Sequence, residues 1–400
     1  MRALVIDDDD LVRRTLAGIL TSMQVEVTQA ADGFAAIDQI ETSPTPFDVI
    51  FCDLQMPGRD GIQTLRDLAD RRVTSGLILL SGHTRDIVAS AENTARHHAL
   101  NVLGHLYKPF DRAKINVLLE AASRPRRIPQ MTSNREPLTA ADLRRGLAAN
   151  EFILAFQPKV NPATGVVEGV EALVRWMHER YGPIPPVEFI SLAEESALID
   201  PLTDAVMRLA VAGYHDLREG HLDIPIAVNL STRSMTRLDM ADRLRASVID
   251  GEASPEGFVF EVTESQLADN MTAFLETATR LRLMGFKLSI DDFGTGFSTM
   301  EQVSRLPVSE LKIDRAFVAG APDNPRTRHI LEASLQLGHS LNLKCVCEGV
   351  ETSNEWELVR RLGTDTVQGY FVAKPMGLAA LRSWITEWEA KWPLLNPNSA

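Results

Sequence analysis

Cysteine is scarce in this 400-residue chain. There are three, too few for a disulfide framework and suited to a reducing compartment. Long apolar runs are missing as well: nothing reaches the roughly 18 consecutive apolar residues that mark a membrane-spanning helix. The N-terminal stretch MRALVIDDDD turns acidic after a few apolar residues, unlike a signal peptide. Bases are in deficit, 41 Lys and Arg against 54 Asp and Glu, for a net charge of -13. A direct DNA binder or an anionic-membrane binder normally shows a basic face, so neither is expected. What remains is globular in composition, 44% hydrophobic and 24% charged. At roughly 100–200 residues per domain it is too long for a single one. These absences predict a soluble, cytoplasmic, multidomain protein.

The charge is unevenly spread. Residues 123–135, SRPRRIPQMTSNR, carry four arginines, two prolines and no acid, without apolar periodicity. Such a stretch reads as a solvated connector, and 123–137 is assigned as a linker. Over residues 1–122, strand-like runs (Ala3–Ile6, Val25–Gln29, Val49–Cys52, Leu77–Leu80, Val102–Leu106) alternate with helical spacing at Arg13–Met23, Gly33–Glu41, Ile62–Ala69, Ile87–His97 and Lys114–Ala122. Five such repeats predict a doubly wound (βα)5 domain whose parallel sheet is covered on both faces. Over 138–390 eight longer-spaced runs predict a (β/α)8 TIM-like barrel, leaving 391–400 as a tail. The chain is α/β throughout.

In the first domain Asp7 and Asp8 end the first run, Asp53 the third and Ser81 the fourth, and Lys108 follows the fifth. A parallel sheet puts all these ends on one edge, where ligands bind. Converging carboxylates there suit Mg²⁺. A metal beside Asp53 would let that carboxylate attack a phosphoryl group, with Lys108 and Ser81 on the transferred oxygens. Helix capping accounts for Asp9 or Asp10 but not for Asp53, Ser81 and Lys108 at matching ends.

The barrel repeats the pattern with more acids. Strand ends carry Glu171, Asn229, Glu261 and Glu264, Asp291 and Asp292, Lys312 and Asp314, Glu348 and Glu351, and Gln368. Barrel active sites lie at the rim where those ends meet. Glu, Asn and Asp are hard oxygen ligands suited to Mg²⁺ or Mn²⁺. They are too many for one water-bearing ion, so two metals about 3.5–4 Å apart fit better. Glu348 is then a candidate proton acceptor for an attacking water, and Lys312 a candidate to orient it.

Two resemblances follow from these residues. Ile6-Asp7-Asp8, Cys52-Asp53-Leu54-Gln55-Met56-Pro57-Gly58, Ser81-Gly82 and Tyr107-Lys108-Pro109-Phe110 resemble a response-regulator receiver domain. That resemblance implies phosphorylation of Asp53 by a sensor histidine kinase, with Mg²⁺ held by Asp7, Asp8 and Asp53. His105 stands where many receivers have a switching aromatic. Glu171-Ala172-Leu173, Asp291-Asp292-Phe293-Gly294, Lys312-Ile313-Asp314 and Glu348-Gly349-Val350-Glu351 resemble the EAL-domain phosphodiesterases, and the two domains together resemble the RocR-type architecture. The implied activity is hydrolysis of cyclic di-GMP to linear pGpG with two Mg²⁺ or Mn²⁺. Carried onto this chain, Glu171, Asn229, Glu261, Asp291 and Asp292 match metal ligands, Glu348 the general base and Lys312 its partner. Gln157, Leu173, Arg175, Asp314, Glu351, Gln368 and Pro375 match substrate or neighbouring positions, and Glu264 matches the anchor of the loop after the fifth barrel strand. Phe297, Thr299 and Lys374 depart from common family residues, and the family's first barrel strand is typically antiparallel. A homodimer or higher oligomer is implied. The competing readings are a catalytically weak cyclic di-GMP sensor and a protein-interaction output domain.

Other features are given structural roles. Cys345 and Cys347, two apart, are expected on opposite faces of a strand, which argues against a shared zinc. Cys52 is expected as core filler and His97-His98 as surface. Trp384, Trp388 and Trp392 recur every fourth residue and are expected to pack as a helix stripe.

Overall fold

A computed structural model of the chain describes every residue except 72, 83–87, 89, 90, 93, 96, 97, 99, 124–135, 264–270, 295–299 and 396–400. The chain divides into two compact units, Met1–Ser133 and Asn134–Ala400.

The first unit is built on β1 (Arg2–Ile6), β2 (Glu26–Ala30), β3 (Val49–Asp53), β4 (Gly76–Ser81) and β5 (Asn101–Tyr107). They form one parallel sheet in the order β2-β1-β3-β4-β5. Strands covered on both faces read as continuous apolar runs, and β4, GLILLS, is buried at every position. One apolar cluster, with Leu4, Ile6, Ile50 and Leu65, lies on one face, and a second, with Ala3, Val5, Leu16 and Ile115, on the other. Asp9, Asp32 and Asp60 start three helices by accepting their first free backbone N–H groups, each such cap worth about 0.5–2 kcal/mol. Strand order reverses between β1 and β3, and Asp7, Asp8 and Asp53 stand at the carboxyl ends of that crevice. Residues 87–97, expected as a helix, fall largely outside the described residues; His98 is exposed and Cys52 buried.

The second unit is a closed barrel. Its strands are β6 (Phe152–Val160), β7 (Val167–His178), β8 (Gly182–Ile184), β9 (Ile226–Asn229), β10 (Phe258–Thr263), β11 (Lys287–Phe293), β12 (Glu310–Ile313), β13 (Lys344–Cys347) and β14 (Thr366–Val367). The order is β6-β14-β13-β12-β11-β10-β9-β7-β8, and pairing of β6 with β7 closes the ring. β6 runs antiparallel to both its neighbours, and the other ring strands pair in parallel. Eight strands make the barrel. The ninth, β8, was not anticipated: it is a three-residue hairpin partner of β7, too short to show a two-residue period. The last strand is two residues long, so Gln368 stands just beyond it.

The expectation for the cysteines is corrected. Side chains alternate along a strand, so residues two apart share a face. Cys345 Sγ lies against the helix Pro325–Ser340, near the Leu335 carbonyl, and Cys347 Sγ meets Thr364 Oγ1 at 2.9 Å. Burial pushes both thiols up to about 12, so neither is a thiolate at neutral pH. Trp388 and Trp392 are buried on the helix Leu378–Leu395, tilted against each other and edge-on to Trp356. That stripe is packing. Among the described residues no helix is long and apolar enough to cross a membrane.

Candidate active site

Alternation along the barrel strands decides which side chains enter the lumen. Register places Gln157 opposite Glu171, Asn229 opposite Glu261 and Asp291 opposite Thr263. At the carboxyl end of the ring these inward positions are polar where a barrel core is otherwise aliphatic. They converge on Lys312. Its ammonium, 1% exposed, lies 2.7 Å from Glu348 Oε1, 2.8 Å from Glu261 Oε2, 3.0 Å from Asp291 Oδ1 and 3.9 Å from Glu171 Oε2. Burial alone would discharge this lysine, but four carboxylates outweigh it and hold it well above its ordinary value.

The acids are less evenly served. Burial, with Lys312 opposing it and Asp291 and Glu171 reinforcing it, pushes the Glu348 carboxyl up to about 8. Burial beside Asp291 and Asp314 lifts Asp292 to about 6. Burial also raises Glu171. Glu261 goes the other way, to about 2, because Lys159 and Lys312 together overcome its burial. Six carboxylates (Glu171, Glu261, Asp291, Asp292, Glu310, Glu348) thus share two buried ammoniums, Lys159 and Lys312. Oxygens of Asp291, Asp292 and Glu348 lie within 4.8 Å of one another, and Gln368 Oε1 is buried with no hydrogen-bond partner. A pocket short of positive charge, lined by hard oxygen donors, fits divalent cations such as Mg²⁺ or Mn²⁺.

A cavity of about 270 Å³ opens above Lys312. Gln157, Glu171, Leu173, Asp291, Glu348, Glu351 and Gln368 line it, so eight expected residues, Lys312 included, meet there. Gln368 donates to Glu171 at 2.6 Å and to Gln157 at 3.0 Å, which fixes both side chains. Asn229 donates to the other Glu171 oxygen at 2.7 Å. With Leu173 and Arg175 it lines a neighbouring, more apolar cavity of about 300 Å³. Arg175 itself donates to the Val174 carbonyl. Asp292 has φ +55°, a left-handed conformation that costs a non-glycine residue on the order of 1–3 kcal/mol. Asp314 caps the helix Arg315–Val318 by accepting Ala316 N–H. Pro375 lines neither cavity; it precedes Met376, whose backbone bridges to Phe156. Glu264, Phe297 and Thr299 lie outside the described residues, and Lys374 is exposed beside the Tyr370 ring.

Four residues were missed. Arg315 pairs with Glu351 at 3.0 Å on the cavity wall, and Tyr370 stands half-exposed at its edge. Lys159 and Glu310 lie beneath, buried and paired at 3.1 Å. A signal for Lys159 was present: it follows Gln157 by two in FILAFQPKV and so shares its inward face.

The first unit holds a smaller acid pocket. Lys108 Nζ lies 2.8 Å from both Asp7 Oδ2 and Asp53 Oδ2. Asp7 and Asp53 are buried and Asp8 exposed, with ligand oxygens of the three within 4.8 Å of one another. Burial raises Asp7 although Lys108 opposes it, and the two acids raise Lys108 despite its burial. Ser81 is buried at the end of β4. His105, on β5, has Nδ1 2.7 Å from Glu92 Oε1 and its ring edge-on to Tyr107.

Comparison with known proteins agrees with both units. Residues 3–120 match the response regulator receiver domain and residues 140–375 the EAL domain. The cyclic di-GMP phosphodiesterase RocR of Pseudomonas aeruginosa is 32% identical over 380 residues, covering 94% of this chain and 96% of RocR. The bifunctional diguanylate cyclase/cyclic di-GMP phosphodiesterase MucR of the same organism is 40% identical over 242 residues, 59% of this chain but 34% of MucR. A solved PaMucR phosphodiesterase in complex with c-di-GMP superimposes with a TM-score of 0.57 at 39% identity, covering 60% of this chain and 98% of that one. The chain therefore belongs to the EAL-domain family, in the arrangement that pairs the EAL domain with a response-regulator receiver domain.

Proposed function

We propose that this protein is a response regulator that hydrolyses cyclic di-GMP to linear pGpG. The observation that carries the reading is the Lys312 cluster: a buried ammonium ringed by four carboxylates at the floor of a rim cavity, in a pocket where carboxylates outnumber cations. Full-length similarity to RocR supports the substrate. Glu171, Asn229, Glu261, Asp291 and Asp292 are the residues that would hold two Mg²⁺ or Mn²⁺. Those ions would supply Lewis-acid stabilisation of charge developing on the phosphoryl oxygens. Glu348, raised by its surroundings toward neutrality, accepts the proton of the attacking water. Lys312, touching Glu348, orients that exchange and offsets the charge it creates. Gln368 and Asn229 brace Glu171; Gln157, Leu173, Arg175 and Glu351, which line the two cavities, would contact the nucleotide, with Asp314 and Pro375, which line neither, at neighbouring positions. Glu264, outside the described residues, keeps the role of loop anchor that the family resemblance implies.

Asp53 is the phosphoryl acceptor in this reading. Lys108 would balance the transferred group and Ser81 would hydrogen-bond it, and Asp7, Asp8 and Asp53 are the residues that would hold an Mg²⁺. The donor is a sensor histidine kinase, and the protein works in the cytoplasm as a homodimer or larger oligomer. Incubation of the purified chain with cyclic di-GMP and Mg²⁺ tests the main claim. pGpG should accumulate, and tight nucleotide binding without turnover would replace the enzyme by a sensor. Loss of Mg²⁺-dependent labelling by a small phosphodonor in Asp53→Asn tests the second.

A further inference from the structure

Glu261 is where the active-site cluster meets a second layer of charge. Its Oε2 takes Lys312 Nζ at 2.8 Å and its Oε1 takes Lys159 Nζ at 2.6 Å. Lys159 comes from β6. Because β6 runs antiparallel to its neighbours, the inward residue two positions after Gln157 lies one layer deeper instead of nearer the rim. There Lys159 also meets Glu310 Oε1 at 3.1 Å, on the β12 face that carries Lys312 two residues later. Glu310, Lys159, Glu261 and Lys312 form an unbroken chain of alternating charge, no member's side chain more than 10% exposed.

The arithmetic of donors gives this chain its consequence. An ammonium has three hydrogens, and Lys312 has four carboxylates within 4 Å. A Glu261 that leaned on Lys312 alone would draw that lysine downward, away from Glu348. We propose that Lys159 is a positioning residue: by holding Glu261 from the layer below, it leaves Lys312 free to keep its short contacts to Glu348 and Asp291. The proposal rests on the roles given to Glu348 and Lys312 under Proposed function. Lys159 reaches the reaction only through Glu261 and Lys312. A purely structural alternative is that Lys159 serves to neutralise buried Glu310.

Three full-length variants separate these: Lys159→Met, Glu310→Gln, and the double variant, which removes both charges of the lower pair and guards against misfolding of the first. We expect Lys159→Met and the double variant to lose about tenfold to a hundredfold in kcat with KM within about twofold of wild type. Glu310→Gln, which keeps the Lys159–Glu261 contact, should stay within about threefold of wild-type kcat. A double variant as fast as Glu310→Gln would mean that Lys159 only offsets Glu310, and would overturn the proposal. The second readout needs no turnover: ¹H–¹⁵N spectra of the lysine ammoniums in the metal-free chain, with Lys312 assigned by its loss in Lys312→Arg. The Lys312 signal should move in the double variant and hold its place in Glu310→Gln; an unmoved signal in the double variant also overturns the proposal. A wild-type chain that does not hydrolyse cyclic di-GMP would sink the proposed function, and the ammonium spectra would still decide the role of Lys159.

Discussion

Two acid pockets occur in this protein, each with a lysine inside it, and they are built differently. In the receiver unit Lys108 is 23% exposed and spans two aspartates at equal 2.8 Å distances. In the barrel Lys312 is 1% exposed, touches four carboxylates, and is backed by a second buried lysine. Lys108 keeps part of its side chain in water, although the two acids it spans are themselves buried. A fully enclosed lysine cannot leave without stranding buried charge. In the proposed reading the more accessible cluster takes a phosphoryl group that comes and goes, and the enclosed one holds metal ions through turnover. The two also treat their acids differently: barrel carboxylates are spread from about 2 at Glu261 to about 8 at Glu348, a separation that fits the proposed division between an acid that holds charge and one that moves protons.

The sharpest way to break this contrast is Glu171→Ala. It removes the acid braced by Gln368 and Asn229, and pGpG formation should fall below detection while the chain stays folded by circular dichroism. Retained turnover would mean the deep pocket is not the site. Glu348→Gln should cost about 10²–10⁴ in kcat, the usual share of a general base, with KM nearly unchanged in steady-state assays. Asp53→Asn should abolish phosphodonor labelling outright yet leave basal turnover within about threefold, since Asp53 belongs to the first unit and the Lys312 cluster to the second; its response to a phosphodonor should vanish.

Titration sharpens the contrast further. In the metal-free chain Glu348 titrates near 8 when folded and at about 4.5 when unfolded, and Asp292 shares its upward direction. Between those values the folded state holds a proton that the unfolded state has lost, so stability should rise as pH falls from about 8 toward about 4.5. Glu261 has the opposite sign: its contribution is present above about 4.5 and is lost on acidification toward about 2. Melting temperatures measured in chelator across that range should show the first slope in wild type and a flatter one in Glu348→Gln; equal slopes would refute the assignment. The smallest expected effect lies in the receiver unit. Asp60→Ala removes a helix cap and should cost about 0.5–2 kcal/mol in denaturant unfolding of that unit, with turnover unchanged.

Much of this was legible in one dimension because strand ends announce themselves. Asp53 closes a buried apolar run and Asp291-Asp292 another, and parallel strands bring such ends to one rim. Where the logic depended on residues off the strand ends it weakened. Asp314 reads as a site residue but caps a helix, and Pro375 lines neither cavity. The two cysteines were misplaced by a misapplied alternation, and β8 was too short to carry a period.

The sequence by itself determined the two-domain α/β plan, the alternation of strands and helices, and the identity of the acids, because periodicity and strand-end chemistry are local. Only the tertiary structure decided which acids share a lysine. The pairing of Lys159 with Glu261 spans residues 102 apart in the chain, and that with Glu310 spans 151. It depends on ring closure through an antiparallel first strand, which turns an inward lysine down into the floor of the barrel. Charges that distant are joined by barrel geometry and by the cost of leaving them unpaired in the interior, and neither is written in any local stretch.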